Sequence, residues 1–147
     1  VVIHQSGAKQ IDALRAAYEE ADVQATLTPF IEDTAQAFAH ADVVIARAGA
    51  STVTELAAIG VAAIYVPFPH AVDDHQTTNA KFVVDAGGGW LVPQAELTAQ
   101  GLADLLQTLT REKLLEVAEK AYAIRKTDAT EKTVAICEQL THLKGVA

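Results

Sequence analysis

The chain has 147 residues, half of them apolar, which suits about one domain with a sizeable core. Its formal charge of −8 argues against a nucleic-acid partner, which needs a basic stripe, and weakly against binding an anionic membrane surface. The single cysteine, Cys137, cannot form an internal disulfide, so a reducing compartment such as the cytoplasm fits best, and no run resembles a signal peptide or a membrane span.

The first third of the chain alternates predicted strands and helices. Strands are predicted at VVIH (1–4), VQATLTPF (23–30) and DVVIARA (42–48). Helices are predicted at residues 9–21, where Ile11, Leu14 and Tyr18 recur at helical spacing, and at 31–41. A strand pattern that opens at residue 1 without a methionine predicts a domain cut from a longer chain.

The middle of the chain continues the alternation. A helix is predicted at about Thr52–Ile59, and Gly60 is suited to be its C-cap. The strand AAIYVPF (62–68), a helix over residues 73–87 and the short strand GWLVP (89–93) are predicted next. This alternation predicts a parallel sheet with right-handed crossovers and helices on both faces.

After Pro93 the pattern predicts helices only. Three amphipathic helices are predicted, at residues 98–109, 111–125 and 128–143. With no repeat and no low-complexity linker, the sequence predicts one α/β domain over residues 1–147, with a helical C-terminal tail.

Ligands of open parallel sheets bind beyond the carboxyl ends of the strands, so the loops at those ends are candidate binding segments. Small and hydrogen-bonding residues fill these loops, at 4–7, 29–31, 47–55 and 67–76. In ARAGASTVTELAAIG (46–60), Gly49 permits a sharp turn and the following helix points its N–H groups at the loop, which suits a phosphate. Thr52 can add a hydroxyl donor, and Glu55 can accept hydrogen bonds from the two hydroxyls of a ribose.

A reading without a ligand also fits this loop. TVTE (52–55) matches a capping box, in which Thr52 caps the helix and Glu55 reaches back to its start. Neither a Walker motif nor GxGxxG is present, so local pattern alone favours the capping box.

The second unusual stretch is PFPHAVDDHQTTNA (67–80), in which Asp73 or Asp74 is a suitable N-cap. His70 and His75 lack the spacing of a helical zinc pair and no cysteine joins them, so no metal site is predicted. Gln76, in the first helical turn, can offer an acceptor and a donor to sugar hydroxyls; the alternative is an ordinary solvated helix start.

The third stretch, HQSG (4–7), places Ser6 and Gly7 between a strand and a helix, where they form either an anion nest or a plain turn. The motif GxSxG is absent, which argues against Ser6 as a nucleophile. Arg47 is suited to pair with a phosphate or with an acid such as Asp42, and a structural role is favoured for it.

Taken together, these motifs resemble one family. HQSG, the run from Pro29 to Ala80 and DAT (128–130) resemble the C-terminal half of the bacterial peptidoglycan N-acetylglucosaminyltransferases. The resemblance covers nearly the whole chain and is most specific from Ile31 to Asn79. It implies a Rossmann-like donor domain of a two-domain GT-B enzyme that transfers GlcNAc from UDP-GlcNAc to the lipid-linked acceptor lipid I, giving lipid II for cell wall synthesis.

The resemblance also implies a donor site, residue by residue. It assigns the diphosphate region to Ser6, the reading of the uracil edge to the backbone of Ile31, and ribose and GlcNAc contacts to Glu55 and Gln76. It assigns the cradle of the phosphates and sugar to the turn and helix start, at Ala50, Ser51, Thr52, Val53 and Thr54. These roles replace the capping box as the preferred reading of TVTE.

Two departures from the family pattern limit what this chain is expected to do. An earlier strand with a GGS-type loop is missing, and so is the N-terminal domain that, by resemblance, holds the acceptor site, the catalytic base and a membrane-contacting patch. No catalytic residue, metal or cofactor is therefore predicted here, and the chain alone is expected to bind UDP weakly at best and to turn nothing over. The whole protein is expected at the cytoplasmic face of the bacterial inner membrane.

Three alternatives remain open from the sequence. The first is another GT-B enzyme that uses a UDP-sugar, or the related UDP-GlcNAc epimerase, although no matching set of catalytic acids is found. The second is a non-catalytic nucleotide-binding module such as an NAD sensor, which the missing GxGxxG disfavours. The third is a fragment without a ligand that self-associates, because a sheet without an inner strand exposes edges that pair with other chains.

Overall fold

The structure, a computed structural model, describes residues 1–69 and 72–144. The chain divides into two compact units, Val1–Ala37 and Phe38–Ala147. Each unit holds its own parallel sheet, with two strands in the first unit and three in the second.

The first unit is a β–α–β element. Strand β1 (Ile3–Gln5) leads through helix α1 (Ile11–Glu20) to strand β2 (Thr26–Thr28), and the strands pair in parallel with Ile3 opposite Thr26. Both strands are shorter than predicted. β2 stops at Thr28 because Pro29 has no N–H to donate and because both backbone groups of Phe30 bond to the Thr28 hydroxyl. That hydroxyl donates to the carbonyl of Phe30 at 2.6 Å and accepts from its N–H at 3.3 Å.

The second unit is built on strands β3 (Val43–Ala46), β4 (Ala62–Tyr65) and β5 (Gly89–Leu91), in that order across the sheet. Both pairings are parallel, with Val43 opposite Ala62 and Ala63 opposite Gly89. The helices are α2 (Thr34–Ala39), which crosses the boundary of the units, α3 (Ala50–Ile59), α4 (His75–Val84), α5 (Ala99–Gln107), α6 (Arg111–Ala123) and α7 (Ala129–Lys144), with a 3₁₀ turn at Val72–Asp74 before α4.

The core of the second unit surrounds β4, all four residues of which are buried, as a continuous apolar strand predicts. Helices α3, α4 and α6 pack against this strand and its neighbours. The core cluster consists of Ala48, Val53, Leu56, Ala57, Val61, Ala63, Tyr65, Ala80, Val83 and Ala121. Helix α6 therefore belongs to the core, whereas residues 129–141 of α7 are exposed.

Two glycines are required by this packing. Gly60 ends α3 with φ of 79°, a left-handed conformation, which confirms it as the predicted C-cap. Gly88 lies against α6, where a Cβ would meet the Cα of Ala121 at 2.8 Å and Cγ1 of Val83 at 2.7 Å. The absence of a side chain at residue 88 is what allows α6 to approach the sheet so closely.

The predicted fold class, a parallel α/β fold with helices, is confirmed. One sheet was predicted, whereas the strands of the described residues form a two-stranded and a three-stranded sheet. Among the helices of the described residues, none combines the length and the apolar character needed to cross a bilayer.

The hydroxyl of Tyr65 is the exception in an otherwise apolar core. The residue is 0 % exposed, and within the described part of the chain its hydroxyl has no hydrogen-bond partner. Burial raises the pKa of Tyr65 from 10.0 to about 12.

We expect Tyr65→Phe to raise the free energy of unfolding by about 1 kcal/mol at pH 7, because an unbonded buried polar group costs roughly 1–3 kcal/mol. In the parent chain, Tyr65 ionises from pH 10 in the unfolded state but only near pH 12 in the folded state. The free energy of unfolding therefore has its full value below pH 10, where Tyr65 is neutral in both states, and falls by about 3 kcal/mol in all as the pH rises to 12.

Urea unfolding of the parent chain and the variant at pH 7, 10 and 11.5 measures both effects. Tyr122→Phe is the control, since Tyr122 is exposed. If the stability of Tyr65→Phe falls between pH 10 and 11.5 as steeply as that of the parent chain, the role assigned to the buried hydroxyl is wrong.

Candidate functional site

The turn between β3 and α3 is the first part of the candidate site. Helix α3 begins at Ala50, and its N-cap residue is Gly49, in an extended conformation with φ of −63° and ψ of 148°. No side chain caps this end among the described residues. The first N–H groups of a helix lack partners within the helix, so α3 presents its positive end and these donors uncapped.

The capping box predicted at TVTE is wrong. Such a box needs a hydroxyl at the N-cap and an acid three residues later, but α3 begins two residues earlier than predicted. The first helical bond runs from the N–H of Val53 to the carbonyl of Gly49, at 3.0 Å. Thr52 and Glu55 are consequently the third and sixth residues of the helix, beyond the positions that cap it.

The six residues from Ala50 to Glu55 differ in what they offer to a ligand. Ala50, Ser51, Thr54 and Glu55 are exposed, and Thr52 is half-buried. Val53 points into the core at 5 % exposure, and its N–H is already bonded. The Thr54 hydroxyl donates to the carbonyl of Ala50, at 2.8 Å. The N–H groups of the first turn, the Ser51 and Thr52 hydroxyls and the Glu55 carboxylate remain as the binding groups of this segment.

Gln76, in the first turn of α4, reaches both strand-end loops. Its side-chain oxygen accepts hydrogen bonds from the N–H of Phe68, at 2.9 Å, and from the N–H of Ala48, at 3.3 Å. Asn79, one turn further along, donates to the carbonyl of Ala48 at 3.1 Å. The structure thus brings Gln76 to the turn from which α3 starts, and it adds Asn79, which the sequence reading did not select.

Arg47 crosses between the same two loops. Its Nη1 donates to the carbonyls of Val66 and Pro67, at 3.2 and 3.1 Å, and its guanidinium lies 5.6 Å from the centre of the Phe68 ring. This confirms the structural role. The suggested pairing with Asp42 is wrong, because Asp42 pairs with Arg111 at 3.3 Å.

The two predicted site residues of the first unit lie on the loops after β1 and β2. The N–H of Ser6 donates to the carbonyl of Thr28 at 3.2 Å, and its hydroxyl donates to the carbonyl of Gly7, also at 3.2 Å. The N–H of Ile31 donates to the side-chain oxygen of Gln5 at 2.8 Å. Because β1 and β2 are parallel, the loops that carry these two residues lie at the same edge of the two-stranded sheet.

The start of α4 carries the histidines and acids considered for a metal. Asp74 is the N-cap residue but its side chain makes no cap; instead it accepts from the Thr77 hydroxyl at 2.6 Å. Within residues 1–69 and 72–144, no three His, Cys, Asp or Glu side chains come together as metal ligands. His70 lies outside the described residues.

The arrangement in the second unit is suited to bind an anion that carries hydroxyl groups. The uncapped end of α3 supplies N–H donors and a partial positive charge. Glu55 supplies an acceptor on the exposed face of the same helix, and the Gln76 amide adjoins the turn through Ala48. Phosphate, ribose and sugar groups match these donors and acceptors.

Comparison with known proteins agrees with this chemistry. Residues 1–137 match the family described as glycosyltransferase family 28 C-terminal domain. The chain is 65 % identical over 140 residues to the UDP-N-acetylglucosamine–N-acetylmuramyl-(pentapeptide) pyrophosphoryl-undecaprenol N-acetylglucosamine transferase of Acidovorax sp. (strain JS42), covering 95 % of this chain and 35 % of that protein. It is 66 % identical over 139 residues to the transferase of the same name from Polaromonas sp. (strain JS666 / ATCC BAA-500), covering 95 % and 36 %.

A solved structure leads to the same family. The crystal structure of Acinetobacter baumannii MurG superposes with a TM-score of 0.88 at 44 % identity, covering 93 % of this chain and 42 % of that chain. The chain spans about a third of the length of these curated relatives. Both the sequence match over residues 1–137 and the fold therefore lead to one conclusion: the chain belongs to the glycosyltransferase family 28 C-terminal domains.

Proposed function

We propose that this chain is the donor-binding domain of a glycosyltransferase that moves N-acetylglucosamine from UDP-GlcNAc to lipid I, forming lipid II in peptidoglycan synthesis. The observation that carries the proposal is the uncapped N-terminus of α3 at the carboxyl end of the parallel strand β3. The relatives that match 95 % of the chain are named for this transfer, which supports the same activity.

The diphosphate of the donor is assigned to the first turn of α3. Its N–H groups and the hydroxyls of Ser51 and Thr52 are donors, and the helix dipole favours negative charge at this end. Glu55, exposed on the same helix, is assigned to the two ribose hydroxyls, because a carboxylate accepts two hydrogen bonds at once. Gln76 is assigned to the sugar: its oxygen is bonded to the backbone, and its side-chain nitrogen supplies the donors.

The first unit is assigned the remaining contacts. Ser6 is proposed to lie near the diphosphate. Ile31 is proposed to read the uracil edge through its backbone, which the bond from its N–H to Gln5 holds in place. In this assignment the carbonyl of Ile31 accepts from the base.

The reaction proposed is an inverting transfer. The 4-hydroxyl of the muramic acid attacks the anomeric carbon of GlcNAc, the new C–O bond forms, and the bond from that carbon to the UDP oxygen breaks with its electron pair. The hydroxyl proton passes to a base outside the residues assigned here. The role of α3 is to stabilise the negative charge that grows on the departing diphosphate, with donors that are already oriented before the bond breaks.

The proposed cellular location of the whole protein rests on the nature of the acceptor. Lipid I is anchored in a bilayer, and UDP-GlcNAc is a soluble nucleotide sugar. We propose that the whole protein works as a peripheral protein on the cytoplasmic face of the bacterial inner membrane, where the two substrates meet.

Glu55→Ala tests the donor site. We expect the parent chain to bind UDP and UDP-GlcNAc, weakly, and not NAD. We expect the variant to lose about 10- to 100-fold in affinity for both uridine ligands, because hydrogen bonds to a charged group are worth about 1.5–3 kcal/mol. Calorimetric titration measures these affinities. Glu119→Ala, which removes an exposed acid from α6, is the control and is expected to bind like the parent chain.

Equal binding of the uridine ligands by Glu55→Ala and the parent chain would contradict the assignment of the ribose. Binding of NAD with similar affinity would favour the general nucleotide-binding module instead.

Ala50→Pro tests the anion-binding role of the α3 terminus. Proline at the first helical position removes one N–H yet suits the helix, and the extended Gly49 before it is compatible with a following proline. We expect UDP binding to weaken about tenfold, since one charge-assisted hydrogen bond is lost, while the thermal midpoint stays within a few degrees.

The matched control is Ala99→Pro, the same change at the first residue of α5, which follows the extended Thr98. It is expected to leave UDP binding unchanged. Undiminished UDP binding by a folded Ala50→Pro variant would show that the phosphates do not use this helix end.

Self-association is a second proposal, carried by the strand edges. In the part of the chain that the structure describes, β1 pairs only with β2, and β3 only with β4, while Ile3 and Ile45 are 56 % and 45 % exposed. Unpaired, apolar edges favour pairing with another chain. We expect light scattering after size exclusion to give a mass that rises with concentration; a monomer over a hundredfold range would count against it.

A further inference from the structure

The backbone of Ala48 is held by side chains rather than by a neighbouring strand or helix. Ala48 is 0 % exposed, so neither its N–H nor its carbonyl can be satisfied by bulk water. Its N–H donates to the side-chain oxygen of Gln76, and its carbonyl accepts from the side-chain nitrogen of Asn79. Both partners come from α4, 28 and 31 residues further along the chain.

The two amides act as a pair because of their spacing. Gln76 and Asn79 are three residues apart in α4, so their side chains lie on one face of the helix. Both are half-buried, unlike Thr78, which lies between them and is exposed. The oxygen of Gln76 also accepts from the N–H of Phe68, so the pair joins α4 to the loops after β3 and β4.

The consequence lies at the start of α3. Ala48 precedes Gly49, and Gly49 precedes the first helical residue. The direction in which the uncapped N–H groups point thus depends on the backbone of residues 48 and 49. Among the described residues no side chain caps α3, and the bonds to Ala48 are a tie that holds this turn from outside the helix.

We propose that Gln76, through its oxygen, and Asn79, through its nitrogen, are positioning residues that orient the N-terminus of α3 for the donor diphosphate. This inference rests on the proposed function, because the donor diphosphate is the ligand toward which α3 is oriented. The tie to Ala48 itself is present without any ligand. It gives Gln76 two separate tasks, since its oxygen holds the protein backbone and its nitrogen is left for the sugar.

The test exploits the chemistry of the two amides. Gln76→Glu keeps the oxygen that accepts from Ala48 and Phe68, whereas Gln76→Leu removes it at similar size. Asn79→Asp replaces the donor by an acceptor that faces the Ala48 carbonyl. Thr78→Ala on the same helix is the matched control.

Amide hydrogen exchange by NMR on the chain without ligand is the first readout. We expect exchange of the two hydrogen-bonded amides of this turn, those of Ala48 and Val53, to accelerate about tenfold in Gln76→Leu and Asn79→Asp, but not in Gln76→Glu or Thr78→Ala. Amides of β4 report global stability and separate a local effect from general loosening. Unchanged exchange in Asn79→Asp, or acceleration in Gln76→Glu equal to that in Gln76→Leu, would overturn the proposal.

Titration with UDP is the second readout. We expect Asn79→Asp to bind UDP about tenfold more weakly than Thr78→Ala. If the parent chain binds UDP and Asn79→Asp binds equally, positioning is refuted while the donor site stands. If the parent chain does not bind UDP, the donor site is refuted, and with it the purpose assigned to the tie, whatever the exchange data give.

Discussion

The burial of β4 on both faces is the constraint on which the second unit depends. Its four residues are small or apolar and fully buried, so strands must pair on both edges and helices must cover the unit. Small residues make this possible: Ala63 sits at the centre of the strand, and the absence of a Cβ at Gly88 lets α6 approach. Because all pairings are parallel, the loops after β3 and β4 emerge at the same edge, where α3 and α4 begin.

The candidate site is a product of that shared edge. The turn after β3 carries the start of α3, and the loop after β4 leads to α4, whose first turn reaches back with Gln76. Arg47 joins the same two loops through the carbonyls of Val66 and Pro67. An anion site made of helix N–H groups needs such ties, because donors help a leaving group only if their directions are set beforehand.

Electrostatics at this edge differ from those of the whole chain. The formal charge is −8, yet the α3 terminus offers a partial positive charge that no acidic side chain of the described residues caps. A local dipole of this kind can act on a phosphate bound at the helix end, because the N–H groups of the first turn would contact that phosphate directly. The scattered surface acids act less strongly, because solvent and salt screen their charges. A negatively charged chain is therefore compatible with an anionic ligand.

The sequence by itself determined the order of strands and helices, the left-handed cap at Gly60, the strand-end loops and, by resemblance, the family. These follow from local periodicity, from glycine conformation and from a specific run of residues. The folded structure, rather than the local pattern, decided where α3 starts: the helical bond from the N–H of Val53 to the carbonyl of Gly49 puts the helix start at Ala50 and not at the Thr52 of TVTE. It also decided that the amides of Gln76 and Asn79 hold Ala48 and that Arg47 binds carbonyls rather than Asp42. These contacts join residues 19 to 31 positions apart, a distance over which periodicity carries no signal.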